Sequence, residues 1–193
     1  MRTAVLLVTG LGIALPGWTA RAQHRELGPH QHGHGTLNIA IEGGRVSMEL
    51  DVPGADIVGF EHAPSTKAQR TAVDKAKAQL AAPLSLFVLP KSAGCSVKEA
   101  NVKIEGAEEA KAGQAKDTPA GTPNKEASAE HSDFNADYVL DCTAIDKVTS
   151  IEFPYFSKFS GAEELEVNLV TPKGQSKFEV KRSKPRIDLT GAM

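Results

Sequence analysis

Leu37, Ile39 and Ile41 alternate with smaller or polar residues, Glu42-Gly43-Gly44 interrupts, and Val46, Met48, Leu50 and Val52 then alternate with Arg45, Ser47, Glu49 and Asp51. A period of two on both sides of a glycine turn predicts a β-hairpin with one face on the core and the other in water. Pro53-Gly54 ends it. Between Ser65 and Ala82 the period changes: Ala68, Ala72, Val73, Ala76 and Leu80 fall near one face of a helix, Thr66 and Gln69 form a capping box, and Pro83 stops it. Leu84 to Leu89 is an apolar run of strand length, and Val97 to Ile104 is a further strand of weaker pattern.

Residues 107–130 contain no Val, Ile, Leu, Met or aromatic side chain, so the segment has no apolar surface to offset its ordering entropy and is expected to be a long disordered loop. Alternation resumes at Phe134, Ala136, Tyr138, Leu140 and Cys142, which marks a half-buried strand. Ile151 to Phe153 begins a short piece, Pro154 to Glu164 holds a helical turn or two, and Leu165, Val167, Leu169 and Thr171 form another strand. Pro172-Lys173-Gly174 turns it back into Phe178 and Val180, and Ile187 with Leu189 closes the domain. The expected fold class is α+β: mainly antiparallel β-sheet, one main helix at about 65–82 and a disordered excursion at about 107–130.

The chain of 193 residues, with 40% hydrophobic and 24% charged residues, has material for one core. Its 22 Lys and Arg against 24 Asp and Glu, with no basic stripe bearing aromatics, argue against nucleic-acid binding. Before the hairpin, Arg2 precedes the apolar run Ala4 to Leu15, too short to span a bilayer, and Ala20-Arg21-Ala22 supplies a small-x-small cleavage pattern. Residues 1–22 are therefore expected to be a signal peptide, and 23–193 a single exported domain with a His-rich leader. In an oxidising compartment the two cysteines, Cys95 and Cys142, are expected to form a disulfide.

The chemical signal is the leader. Four of the six histidines, His24, His30, His32 and His34, precede the first strand. In HQHGHG the last three stand at i, i+2 and i+4, on one side of an extended chain, while Gly33 and Gly35 allow the backbone to bend. Neutral imidazole is a common zinc ligand, and imidazoles titrate near pH 6.5, so they are competent near neutrality. A leader alone orders itself at an entropic cost, so ligands from the body are expected: His62 in GFEHAP and His131 in HSDF, with Glu61 or Asp133 ligating directly or orienting an imidazole. No HExxH, GxSxG, Walker loop, GxGxxG or CxxC pair occurs, and no enzymatic reaction is expected. Competing readings are an exported protein-binding or scaffold module with incidental histidines, and a copper or nickel handling protein, because those ions also take imidazole.

The blocks HGHG with TLNIAIEGG, GFEHAP before the Gln-containing helix, LFVLPKSAGC, HSDFNADYVLDC and LEVNLVTPKGQ, taken in order behind an export signal, resemble the ZrgA-like family of periplasmic proteins associated with zinc uptake. The resemblance covers nearly the whole chain after residue 22. It implies capture of Zn²⁺ in the periplasm in support of an inner-membrane, ABC-type transporter, with His32, His34, His62 and His131 as ligand candidates beside His30 of the leader. Members of that family carry a His/Asp-rich tract in the central loop, whereas residues 107–130 here hold no histidine. The expected site is His62 and His131 on the body, completed by His32 and His34 when the leader folds over and becomes ordered on binding.

Overall fold

The computed structural model describes residues 32–106 and 131–192. The expected signal peptide, His24, His30 and the expected loop at 107–130 lie outside them.

The hairpin forms where the alternation places it, as β1 (His34–Glu42) and β2 (Arg45–Pro53), paired antiparallel with Ile39 opposite Met48. Leu37, Ile39, Ile41, Val46, Met48, Leu50 and Val52 are all buried, and the residues between them face outward or are half-covered. β3 (Cys95–Glu105), β4 (Asp133–Cys142), β6 (Glu164–Thr171) and β7 (Gly174–Lys181) join them in a six-stranded sheet of order β3-β4-β2-β1-β6-β7. Every neighbouring pair is antiparallel except β1 with β6, which run parallel with His34 opposite Glu164. β5 (Ser150–Glu152) and β8 (Arg186–Asp188) form a separate two-stranded ribbon. The expected disulfide is present, joining Cys95 to Cys142 at directly paired positions of β3 and β4.

The pattern of β3 is weak because a bulge between Val97 and Glu99 changes which side chains face inward. Val97, before the bulge, is 44% exposed, whereas Ala100, Val102 and Ile104, after it, pack against the core. The strand also lies at the sheet edge, where one side has no neighbour to bury it.

The main helix is α2 (Lys67–Leu80), and its capping box is intact: the Gln69 amide donates to the Thr66 hydroxyl, and the Thr66 amide donates to the Gln69 side chain. The buried face is narrower than the periodicity suggests, since Ala76 and Leu80 are buried and Val73 is half-buried, while Ala68 is exposed. Before it comes a short helix, α1 (Gly54–Val58), which the sequence reading did not separate from the apolar run around it.

The expected strand at Leu84 to Leu89 is not one. Pro83 opens a single 3-10 turn, Pro83–Ser85, and Val88 makes only an isolated bridge with Glu152. Leu86, Phe87 and Leu89 are buried, including two adjacent side chains that a strand would send to opposite faces, and the Phe87 ring lies 6.2 Å from Tyr138 of β4. The segment therefore covers the sheet as an irregular lid. Phe153, Tyr155, Phe156 and Phe159 belong to the same core, the last three on or after α3 (Tyr155–Lys158).

Arg182, just after β7, donates from its guanidinium to the carbonyls of Phe156, Phe159, Ser160 and Ala162, which holds the turn leading into β6. At this end of the sheet four chain segments converge: the start of β1, the end of β2 with α1, the start of β4 and the start of β6. Thr36 pairs with Asp51, Pro53 with Asp133 and His34 with Glu164. Gly54 donates its amide to the Ser132 carbonyl at 2.7 Å, an approach that a Cβ would block, since it would meet that oxygen at 2.6 Å.

Candidate metal centre

Glu61 stands where those segments meet. α1 ends at Gly59, whose left-handed φ of 84° turns the chain into the loop carrying Phe60, Glu61 and His62. The Glu61 side chain is 13% exposed and takes an imidazole on each oxygen. His32 Nε2 lies 3.0 Å from Oε1, and His131 Nδ1 hydrogen-bonds Oε2. One imidazole comes from the leader and one from the residues just before β4, so the carboxylate joins parts of the chain 70 residues apart in sequence on the His131 side. Both rings are largely in water, with side-chain exposures of 67% for His32 and 56% for His131.

Burial raises the Glu61 carboxyl, but the hydrogen bond from His131 and the charges of His32 and His131 outweigh it and hold the group below its usual value. Glu61 is thus kept ionised and acceptor-only, ready for an imidazole N–H or a cation.

The other histidines sit differently. His34 opens β1 and places Nδ1 3.8 Å from Glu164 Oε1, while Lys181 approaches the other oxygen of that carboxylate at 3.2 Å. The lysine supplies the positive charge there, which disfavours a second cation. His62 is turned away from Glu61: its exposed ring stacks on Phe60 with centroids 5.0 Å apart, and its Nδ1 lies 3.0 Å from the carbonyl oxygen of Ala63. Asp133, named from sequence as an alternative to Glu61, is buried at the start of β4. Of the sequence candidates, then, His32, His131 and Glu61 come together, and His34 and His62 have other partners.

Sequence reasoning missed Asp56. It lies on α1, is 3% exposed, and its Oδ1 accepts the Gly33 amide at 2.7 Å. The only signal for it was an acidic residue inside the otherwise apolar GADIVGF. The contact also bears on the expectation that binding orders the leader, because at Gly33 the chain is hydrogen-bonded to the fold without an ion.

Two imidazole nitrogens and a carboxylate oxygen form a donor set that zinc accepts. Residues 29–189 match the family described as ZrgA family zinc uptake protein. The chain belongs to this family. No curated protein matches it. Membership associates the protein with zinc and with its uptake. As arranged, no group of three His, Cys, Asp or Glu side chains among the described residues stands close enough to hold an ion. Among the same residues no helix is long and apolar enough to cross a membrane.

Proposed function

We propose that the protein captures Zn²⁺ in the periplasm through His32, Glu61 and His131 and passes it toward an inner-membrane ABC-type transporter, acting as a binder and not as an enzyme. The observation that carries this reading is the Glu61 carboxylate, largely buried and ionised, flanked by two imidazoles whose heads are in water. A closed structural zinc site takes four protein ligands out of solvent. A rim of exposed imidazoles around one largely buried carboxylate suits a cargo that must arrive and leave.

In the arrangement described, His32 and His131 engage opposite oxygens of Glu61. Loading requires each imidazole to give up its contact with the carboxylate, turn a deprotonated nitrogen toward a shared point, and leave an oxygen of Glu61 to the ion. Zinc takes the place of the imidazole N–H groups as the partner of the carboxylate, and because each ring must present an unprotonated nitrogen, protons compete with the ion and binding weakens as pH falls. His34 stays with Glu164 at the edge of the site, and His62 remains on the outer side of the loop.

Calorimetric titration of Zn²⁺ into chelator-stripped protein tests the reading, with Glu61→Gln and the His32→Ala/His131→Ala pair beside it. Saturable sub-micromolar binding, about -8 kcal/mol or stronger, that falls at least tenfold in both variants is the expected result. Binding that both variants retain would sink it.

A further inference from the structure

Asp56 has a place in the fold that stability does not explain. Its carboxylate is 3% exposed, one oxygen accepts a single backbone amide, and the other, Oδ2, has no hydrogen-bond partner among the described residues. Burying an acidic group with one hydrogen bond is costly, and an apolar side chain would fill the same space at lower cost. Burial pushes its carboxyl up, although the Gly33 amide and the charges of His32 and His34 act in the opposite direction.

The amide it accepts belongs to the residue between the two leader histidines. Gly33 is buried, has φ of +83°, and is held at both ends: its N–H donates to Asp56 Oδ1, and its carbonyl accepts the amides of Glu163 at 2.9 Å and Glu164 at 2.8 Å. Asp56 is fixed in its turn, since Gly161 packs so closely on its backbone that a Cβ there would lie 2.7 Å from the Asp56 Cα. The clamp sets the direction in which the chain leaves on each side, toward His32 and Glu61 one way and toward His34 and Glu164 the other.

We propose that Asp56 is a positioning residue for metal capture: through its bond to the Gly33 amide it aims His32 at Glu61 before the ion arrives. This rests on the reading of His32, Glu61 and His131 as the capturing groups. A leader held in advance does not have to be ordered by the ion, and the affinity gains by that avoided entropy. Asp56 touches no ion itself. Its role is carried by an acceptor oxygen at one place, so asparagine substitutes for it and alanine does not.

The test is Zn²⁺ titration of the whole exported chain with Asp56→Ala and Asp56→Asn, each alone and combined with His32→Ala or His131→Ala, alongside metal-free melting and exchange of the Gly33 amide proton by NMR. Asp56→Ala is expected to weaken Zn²⁺ binding about tenfold and to deprotect the Gly33 amide, and Asp56→Asn to stay within threefold of the parent. In the His32→Ala background the Asp56→Ala loss disappears, and in the His131→Ala background it persists. A general structural defect would give the same loss in both backgrounds, which would overturn the proposal, as would equal losses from Asn and Ala. Should Asp56→Ala not fold, an unprotected Gly33 amide in the metal-free parent, or a large loss in Asp56→Asn, overturns it instead. Parent protein that binds no Zn²⁺ removes the capture reading and this role together, whereas binding that Asp56→Ala leaves intact removes this role alone.

Discussion

At the scale of residues, Glu61 is the largely buried member of the candidate site and the imidazoles are the exposed ones, and this asymmetry orders the effects of substitution. Replacing His131 by Ala removes a partner of Glu61 and is expected to lower zinc affinity tenfold or more, whereas His62→Ala, whose ring rests on Phe60, is expected to change it less than threefold; titration of the two variants side by side distinguishes them. The sign of the acid response follows from the lowered Glu61 carboxyl. A carboxylate whose folded-state value lies below the ordinary glutamate value of about 4.3 contributes to stability above that pH, and the contribution fades as pH falls through the folded value. Glu61→Gln is therefore expected to reduce stability at neutral pH and to flatten the acid-unfolding curve below about pH 4.3. Imidazole chemistry was legible in HGHG and HSDF because side-chain type alone carries it. That Glu61 and not His62, adjacent on one loop, meets His32 and His131 was not, because it depends on where each side chain points.

At the scale of elements, what could be read locally was what local energetics decide. The capping box of α2 closes within four residues, so Thr66 and Gln69 announce the helix start from sequence. Thr66→Ala is expected to cost about 1 kcal/mol, measured as a lower urea midpoint with unchanged slope. α1 is only five residues long, less than periodicity can resolve, and it exists because Pro53 and Gly59 delimit it and Gly54 and Asp56 are buried. Leu84 to Leu89 misled the reading for a different reason. A short apolar run bounded by prolines fits a buried strand or an irregular covering segment equally well, and only the position of Phe87 over Tyr138 chooses between them.

At the scale of the whole molecule, the disulfide and the candidate centre lie at opposite ends of β4, because His131 just precedes the strand and Cys142 ends it. A ten-residue strand at about 3.4 Å per residue keeps them roughly 30 Å apart. The bridge closes a loop of about 48 residues, worth about 4 kcal/mol by the chain-entropy argument. Reduction is expected to lower the melting temperature markedly while leaving the zinc affinity of the still-folded protein within twofold, as thermal unfolding and titration with and without a phosphine reductant will show. Proton competition acts at the other end: between pH 7.5 and 5.5 zinc affinity should fall as imidazoles protonate, and a flat profile would count against an imidazole site.

The sequence by itself determined the hairpin, the α2 start, strands β4 and β6 and the disulfide pair. Each of these rests on a repeat of two or 3.6 residues, on a turn or cap closed within a few positions, or on there being two cysteines and no others. Only the tertiary structure decided that β1 lies parallel to β6, that His131 reaches across 70 residues to Glu61, and that Asp56 reaches across 23 to the amide of Gly33. Those contacts arise from the register in which strands pair to bury one common face. A local pattern states which residues go inward, and strand pairing then sets which ends meet.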